Sequence, residues 1–175
     1  EHETEMWEAP ELEFVEPLLH GKMYEEPAFR HYVNVSRNYN MRHFGSDNPL
    51  FLDYNEYSGG SPDGLQGQGE NIDWLLEIKC PKNPKNHHKY LKFNSQWDLK
   101  EKMIAYYAQI QFLLMITKAK GAHFVSFDDR WKKPEFKIKI LDVYPDQKFQ
   151  DNLEIRLQLA QKEKIKMIEQ LKLMA

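Results

Sequence analysis

The sequence predicts an α/β fold in which a mixed central β-sheet is flanked by helices. The main observation is the order of the predicted elements (helix, strands, helix, strands, helix), which is typical of a sheet covered by helices. The composition agrees, because 41% of the 175 residues are apolar and 29% are charged, a balance found in globular chains. A chain of this length can bury one sizeable core.

The amino-terminal segment differs from the rest of the chain. Residues 1–19 are rich in glutamate and include Pro10 and Pro17, so we expect an acidic, poorly ordered lead-in. A single domain is predicted over 20–175. Since the sequence starts at Glu1 rather than at methionine, we expect it to be a fragment or a processed product.

The first half of the predicted domain contains one helix and two strands. Apolar residues three or four positions apart predict a helix over 20–36, and Pro27 would delay its start or kink it. A loop is predicted over 38–49. The remaining predictions are a strand over 51–58, a glycine-rich turn region over 61–69 and a buried strand over 72–80 that ends before Pro81.

The second half begins with a lysine-rich segment over 82–98, predicted as a loop in which His87 and His88 are exposed to solvent. The most regular apolar periodicity predicts a long helix over 100–117. Two strands are predicted over 123–127 and 136–143, and a final helix over 146–173.

The charge distribution leaves a nucleic-acid partner open. The net charge is −3, which is no bulk signal for binding a polyanion. A phosphate backbone responds to local charge, however. Between positions 79 and 102 the sequence contains a stripe of basic residues and only two acids. Each of these lysines could equally belong to a solvated face. The stripe consists of Lys79, Lys82, Lys85, Lys89, Lys92, Lys100 and Lys102.

Cysteine content and hydropathy exclude several classes of protein. Cys80 is the single cysteine, so the chain cannot form an internal disulfide or a four-cysteine iron–sulfur cluster. No apolar segment approaches the roughly 20 residues of a membrane span. We therefore expect an intracellular protein in a reducing compartment, with no membrane partner.

The strongest chemical signal is a pair of charges within an otherwise apolar strand. Glu77 and Lys79 are two residues apart, so their side chains project from the same face, and Ile78 projects from the other. Burying unpaired charge is costly, and a metal ion with a bound phosphate would compensate both groups. Asp63 lies in the preceding Ser-Pro-Asp-Gly turn at 61–64.

These residue types match the needs of phosphodiester hydrolysis. Carboxylates can hold Mg²⁺ while leaving positions for water and a phosphate, and the ion lowers the pKa of bound water. A lysine beside that water can position it and balance charge. An acid and a lysine at this spacing occur by chance in most proteins, so the hypothesis depends on the apolar strand and the Pro-Asp turn.

Four short blocks of the sequence occur in an order and at spacings that resemble a known family. They are 61–64 (SPDG), 76–81 (LEIKCP), 106–111 (YYAQIQ) and the weaker 21–25 (GKMYE). Together they are similar to the lambda-exonuclease or YqaJ-type family of phage and viral recombination nucleases. The resemblance runs from about residue 20 to the end and implies a PD-(D/E)xK restriction-endonuclease-like core.

The resemblance implies a metal site at matching positions. Asp63, Glu77 and the carbonyl of Ile78 would bind catalytic Mg²⁺, with Mn²⁺ as an alternative ion. Glu25 would reach a second metal ion through water.

Further residues are expected to act on the substrate. By resemblance, Lys79 would act on the attacking water, Gln109 would complete the polar site, and Ser61 would lie near a terminal phosphate. Lys82 and Lys85 directly follow the catalytic strand, and we expect them to contact the DNA backbone.

The resemblance also implies an activity and partners. The family degrades one strand of duplex DNA from a 5′ end, so a Mg²⁺-dependent 5′–3′ exonuclease on linear duplex DNA is expected, in recombination or viral DNA processing. Ring-shaped trimers in the family imply a homotrimer, and a single-strand annealing protein would be its recombination partner. The cytoplasm of a phage-infected host or the nucleus of a virus-infected cell would be its location.

One family feature is missing, and two alternatives follow. Family members usually carry an arginine segment before the Glu25 block that anchors a 5′-phosphate, whereas here no arginine precedes Arg30. One alternative is an endonuclease acting on DNA or RNA with the same fold, for which His20 or His31 could supply a metal-binding histidine. The other is a catalytically silent DNA-binding module.

Overall fold

The computed structural model describes residues 15–45, 48–69 and 71–174, and its strands form two sheets. A five-stranded mixed sheet has the order β1-β4-β5-β6-β7, and β2 and β3 form a separate hairpin. Only β5 and β6 are parallel, and the other neighbours in these sheets are antiparallel. The strands are β1 (Arg42–His43), β2 (Leu52–Asn55), β3 (Ser58–Gly60), β4 (Gly64–Gln68), β5 (Asn71–Lys79), β6 (Gly121–Phe127) and β7 (Ile138–Val143).

Helices connect and cover these strands. A parallel strand pair needs a long crossover, and α2 to α4 provide it between β5 and β6. None of the described helices combines the length and the apolar character needed to cross a membrane. The helices are α1 (Glu16–Ser36), α2 (Pro84–Leu91), α3 (Gln96–Lys102), α4 (Ile104–Thr117) and α5 (Gln147–Met174).

The central sheet has a hydrophobic cluster on each face. Ala28 and Tyr32 of α1 pack with Leu76 and Ile78 of β5 on one face. Leu75 belongs to the cluster on the other face, which α2, α3 and α4 cover. This division follows from the alternation of side chains along a strand. Ile78 therefore projects from the face opposite to Glu77 and Lys79, as predicted. The structure adds that Ile78 faces α1 and that positions 77 and 79 face α4.

The predicted loop over 82–98 is wrong, because this segment forms α2 and α3. The Asn83 side chain caps α2 by accepting a backbone hydrogen bond at 3.0 Å, and Pro84 suits the first helical position. The Asp98 carboxylate accepts a hydrogen bond from the Ser95 backbone at 3.2 Å at the start of α3. Both helices are short and are stabilised by their caps. Their apolar faces are narrow, and the many lysines around them hide the apolar periodicity in the sequence.

His87 is fully buried, so the expectation that it is exposed is also wrong, whereas His88 is exposed. The Nε2 atom of His87 lies 2.8 Å from the carbonyl oxygen of Phe136, and its Nδ1 lies 2.8 Å from the hydroxyl of Ser126. Since a carbonyl only accepts, Nε2 carries the proton and Nδ1 accepts from the hydroxyl. Burial lowers the pKa of His87, which is consistent with a neutral ring.

Other element boundaries differ from the predictions. The first helix begins at Glu16, and the long helix is interrupted at Met103 (φ −142°, ψ 56°). The strand predicted over 51–58 is the β2–β3 hairpin, and β1 and β4 lie in segments predicted as loop and turn. Most of the predicted lead-in, residues 1–14, lies outside the described residues.

Gly64 illustrates why β4 was difficult to predict. Glycine content indicates a turn, but Gly64 pairs with His43 and Leu76 on either side. A Cβ at this position would lie 2.7 Å from the carbonyl oxygen of Arg42. The glycine therefore permits close packing of three strands, a requirement that the local sequence does not reveal.

Gln111 joins α4 to the start of α5. Its side chain is fully buried, donates to the Tyr144 carbonyl at 2.8 Å and accepts from the Asp146 backbone at 2.9 Å. Gln150 donates to the same side-chain oxygen at 3.0 Å. Asp146 also accepts from Lys100 at 2.6 Å. These contacts determine where the long carboxyl-terminal helix leaves the core.

We expect Gln111→Leu to lower the free energy of unfolding by about 1–3 kcal/mol, because the part-buried backbone groups of Tyr144 and Asp146 and the buried Gln150 side chain would lose their partner. The midpoint of thermal unfolding should fall by roughly 2–4 °C per kcal/mol. Gln158→Leu, on an exposed position of α5, is the matched control and should leave the midpoint nearly unchanged. Equal midpoints for the two variants would contradict a structural role for Gln111.

Candidate active site

A cleft of about 730 Å³ opens at the carboxyl end of β5. The amino-terminal turns of α1 and α2 form its walls, because both helices begin near the point where β5 ends. Of the residues predicted for the site, five line this cleft: Glu25, Asp63, Ile78, Lys79 and Lys82.

Asp63 is held by backbone hydrogen bonds on both sides. Its N–H donates to the Leu76 carbonyl at 3.1 Å, and its carbonyl accepts from Phe44 at 2.8 Å. Its carboxylate accepts a hydrogen bond of 2.6 Å from the N–H of Ile78. Burial raises the pKa of Asp63, and the Lys79 ammonium opposes the increase. The Pro-Asp turn therefore fixes an acid directly beside β5.

Glu77 is buried beside Lys79 and is 1% exposed. One of its carboxylate oxygens forms an ion pair with Lys79. The other, Oε2, is buried without a hydrogen-bond partner among the described residues. Burial raises the pKa of Glu77 to about 7, with Lys79 lowering it and Asp63 adding to the increase. An unsatisfied buried oxygen is costly, and a bound cation would remove that cost.

Lys79 remains charged in this environment. Burial alone would lower the pKa of Lys79, but Glu77 and Asp63 together raise it above its ordinary value. Its ammonium lies 5.1 Å from the centroid of the Tyr106 ring, which in turn stacks on Phe124 at 6.1 Å. The lysine is thus directed along β5 towards the cleft, with an aromatic ring on one side and carboxylates on the other.

Glu25 enters the site from α1. Burial raises the pKa of Glu25, and the Asp63 carboxylate adds to the increase. Its carboxylate lies 3.1 Å from Nε2 of His43, whose Nδ1 lies 2.9 Å from Glu26. The His43 ring stacks on Phe29 at 4.6 Å. His43 therefore orients the one predicted acid that comes from a helix.

The sequence interpretation missed His43. It lies in β1, a strand of two residues within a predicted loop, and its partners are distant in sequence. The histidines considered instead lie elsewhere: His20 packs on Tyr24 at 4.5 Å, and His31 packs on Phe127 at 5.3 Å. The only available signal was a histidine ahead of the Pro-Asp turn.

The carbonyl of Ile78 points towards the site. The Leu76 carbonyl and the Ile78 N–H both bond to Asp63, so these backbone groups face the β4 edge. In an extended strand, the N–H and C=O of one residue point to the same edge. β4 begins at Gly64, which pairs with Leu76 of β5. The Ile78 carbonyl therefore lies past the last β4–β5 pair and faces the cleft.

The donor set fits a hard cation. Glu25, Asp63 and Ile78 line the cleft, and Glu77, buried beside Lys79, has one carboxylate oxygen without a partner among the described residues. Within the described ranges, no three His, Cys, Asp or Glu side chains form a ready-made metal site. An ion would therefore complete its coordination with carbonyl, water and phosphate oxygens, as Mg²⁺ commonly does.

The other predicted site residues occupy different surroundings. Gln109 is half-buried on α4 and lies near Glu77, whose pKa it lowers. Lys82 forms an ion pair with Glu16 of α1. Ser61 and Lys85 are exposed and lie outside the lining of the cleft in the part of the chain that the structure describes.

The basic stripe is partly used for structural contacts. Lys100 pairs with Asp146 at 2.6 Å, and Lys102 pairs with Asp98 at 3.0 Å. Lys89 donates to the backbone carbonyl of Lys102 at 3.2 Å. These lysines link α2, α3 and α5, which reduces their availability to a phosphate backbone.

Two solved exonucleases have similar structures. The alkaline exonuclease LHK-Exo from Laribacter hongkongensis has a TM-score of 0.73 and 24% identity, over 98% of this chain and 77% of that chain. Its complex with dAMP has a TM-score of 0.74. A phage-related exonuclease from Haemophilus somnus 129PT has a TM-score of 0.67 and 16% identity, over 95% of this chain and 76% of that chain. These likenesses confirm the predicted fold class.

At the sequence level, no curated protein matches the chain significantly. A family model does match: residues 3–120 fit the YqaJ-like viral recombinase domain. The match spans Glu25, Asp63, Glu77 and Lys79, and it covers more than half of the chain. The protein therefore belongs to the family of YqaJ-like viral recombinase domains.

Proposed function

We propose that the protein is a Mg²⁺-dependent deoxyribonuclease that degrades one strand of linear duplex DNA from its 5′ end. The observation that carries this proposal is that Asp63 and Lys79 line the cleft while Glu77 is buried beside Lys79, with its Oε2 lacking a hydrogen-bond partner among the described residues. Membership of a viral recombinase family supports DNA as the substrate. Mn²⁺ would serve as an alternative ion.

The protein's own groups prepare the site for a phosphate. The Ile78 N–H holds the Asp63 carboxylate, and the buried Glu77 carboxylate is held by Lys79. Asp63, Glu77 and the carbonyl of Ile78 would hold Mg²⁺, which would supply positive charge at the phosphate and lower the pKa of water. Gln109, near Glu77, and Glu25, oriented by His43, complete the polar surroundings.

Lys79 acts as a cation in this proposal. Because its pKa is raised, it stays protonated at neutral pH and cannot accept a proton from water. It would instead donate hydrogen bonds to the attacking water or to phosphate oxygens and stabilise negative charge. The Tyr106 ring on one side keeps the ammonium directed at the cleft.

Attack at a strand end is supported by the exonucleases that have a similar structure. Glu16 of α1 and Lys82 before α2 form an exposed ion pair between the two walls of the cleft, and such a pair is too weak to exclude a duplex. The similar LHK-Exo forms a complex with dAMP, a nucleotide of the kind that stepwise cleavage of DNA releases. Ser61 and Lys85, exposed near the site, would contact the phosphate backbone.

The protein would form a homotrimer and would act with a single-strand annealing partner inside an infected cell. Exposed apolar side chains on α5 support contact between subunits. Those exposed by more than half are Ile155, Leu159, Met167, Leu173 and Met174.

We expect Lys79→Ala to reduce degradation of linear duplex DNA by about 10²–10³-fold, because a preorganised charge at the reacting phosphate is lost. The measurement uses duplex labelled separately at each end, with Mg²⁺ and with closed circular DNA alongside. Loss of label should start at the 5′ ends, and circles should persist.

Lys166→Ala, on an exposed position of α5, serves as the control and should retain wild-type activity. Cleavage of circles would replace the exonuclease with the endonuclease alternative. Full activity of Lys79→Ala would remove this lysine from the mechanism, and an absence of cleavage by the wild type with either ion would support the silent binding module.

We also expect Mg²⁺ affinity to depend on pH. The pKa of Glu77 is about 7 without metal, and only the carboxylate binds a cation, so protonation competes with the ion. The affinity for Mg²⁺ should reach its maximum above pH 7, where Glu77 is ionised, and should fall about tenfold for each pH unit below 7. Calorimetric titration of the DNA-free protein measures this, and Glu77→Gln should weaken binding and flatten the profile. Constant affinity between pH 6 and 8 would contradict a role for Glu77 as a ligand.

A further inference from the structure

A second cavity of about 470 Å³ lies on the surface beside the cleft. The loop between β6 and β7 forms most of it, and Pro84 at the start of α2 closes one side. Pro84 also lines the cleft, so the two depressions are adjacent. The aromatic–lysine patch is the part of this loop formed by Trp131, Lys132, Lys133 and Phe136.

The patch combines aromatic surface with positive charge. Phe136 is 41% exposed and packs edge-on against the half-buried Trp131 at 6.0 Å between centroids. Lys133 Nζ lies 5.7 Å from the Phe136 ring, and Lys132 is exposed. The only carboxylate in the lining that the structure describes, Asp128, is paired with an arginine, so cations dominate the cavity.

The start of the loop is anchored by Arg130. Its guanidinium donates to both oxygens of Asp128, at 2.6 and 2.8 Å. It also donates to the backbone carbonyls of Lys82 at 3.0 Å and Pro81 at 3.2 Å. Burial would raise the pKa of Asp128, but Arg130 holds it below its usual range. The loop is therefore tied to the segment that directly follows Lys79.

The end of the loop is anchored by His87. This buried ring donates to the Phe136 carbonyl and accepts from Ser126, both at 2.8 Å. The neighbouring His88 stacks on Trp131 at 6.1 Å and 13° between planes. The patch is thus positioned before any ligand arrives, which reduces the ordering cost of binding.

We propose that the aromatic–lysine patch binds unpaired nucleotides of single-stranded DNA beside the cleft. Aromatic side chains stack on any exposed base, with a gain of about 1–3 kcal/mol per base, and lysines bind the adjoining phosphates. In a duplex the base faces are already stacked on one another, so the aromatic rings select an unpaired strand. The choice of DNA rests on the proposed function, whereas the stacking site rests on the patch itself.

The test is the affinity of the full chain for a fluorescein-labelled oligothymidylate of about 12 nucleotides. Anisotropy is measured in EDTA so that no cleavage occurs. Trp131→Ala should weaken binding about 5- to 150-fold, and Trp131→Phe should retain most of the affinity. An abasic oligomer of equal length, which keeps the phosphates, should bind wild type and Trp131→Ala within about twofold of each other.

Two controls separate stacking from misfolding and from general charge. Trp97→Ala removes an exposed tryptophan beside a lysine, outside the cavity, and should bind normally. Lys133→Ala should weaken both oligomers equally and lower the slope of log affinity against log salt by about 0.7. Circular dichroism and thermal unfolding establish that each variant is folded.

Unchanged oligothymidylate binding by Trp131→Ala would overturn the proposal. So would an equal loss for the abasic oligomer, since that loss would not come from stacking. Because the assay needs no cleavage, its result is independent of the nuclease proposal. If the protein binds oligothymidylate selectively but cleaves no DNA, the patch proposal stands and the nuclease proposal is refuted. If it cleaves DNA but Trp131→Ala binds oligothymidylate as the wild type does, the nuclease proposal stands and the patch proposal is refuted.

Discussion

The buried ion pair between Glu77 and Lys79 is the interaction on which the rest of the site depends. Two charges within a central strand are stable only if their neighbours compensate them, since removing ions from water costs several kcal/mol each. β5 is paired on both sides, so compensation must come from residues that other elements bring to its carboxyl end. Asp63 provides charge and Tyr106 an aromatic face, and Glu77 Oε2 remains unsatisfied. Within the described residues this compensation is incomplete, and the proposed cation would complete it.

The surrounding elements are arranged to bring groups to that strand end. The β4–β5 pairing places Asp63 against the Ile78 backbone, and α1 carries Glu25 across the other face of the sheet. His43 joins α1 to the sheet edge. The crossover through α2 to α4 covers the face from which Glu77 and Lys79 project. Acids from a turn, a strand and a helix are therefore brought to the carboxyl end of β5. The β4–β5 pairing ends there, so this end of the strand is open to a ligand.

Side-chain contacts also hold the segments outside the cleft in place. The segment after Lys79 is held by Arg130 and then by the cap of α2, and His87 attaches the following loop. These contacts use charged and polar residues that, in sequence, resemble an ordinary solvated surface. Their effect is to connect the end of β5 to the aromatic–lysine patch, so that the proposed cleavage and the proposed binding of an unpaired strand would share one preorganised surface.

The sequence by itself determined the β5 strand, the long α5 helix, the fold class and the pairing of Asp63 with the Glu77–Lys79 motif, because each rests on periodicity or on short-range spacing. Only the tertiary structure decided that 82–98 is helical, that His87 is buried and that His43 orients Glu25. Capped helices of seven or eight residues and a strand of two residues carry little periodic signal. Contacts between residues distant in sequence depend on how sheet and helices pack, which no local pattern encodes.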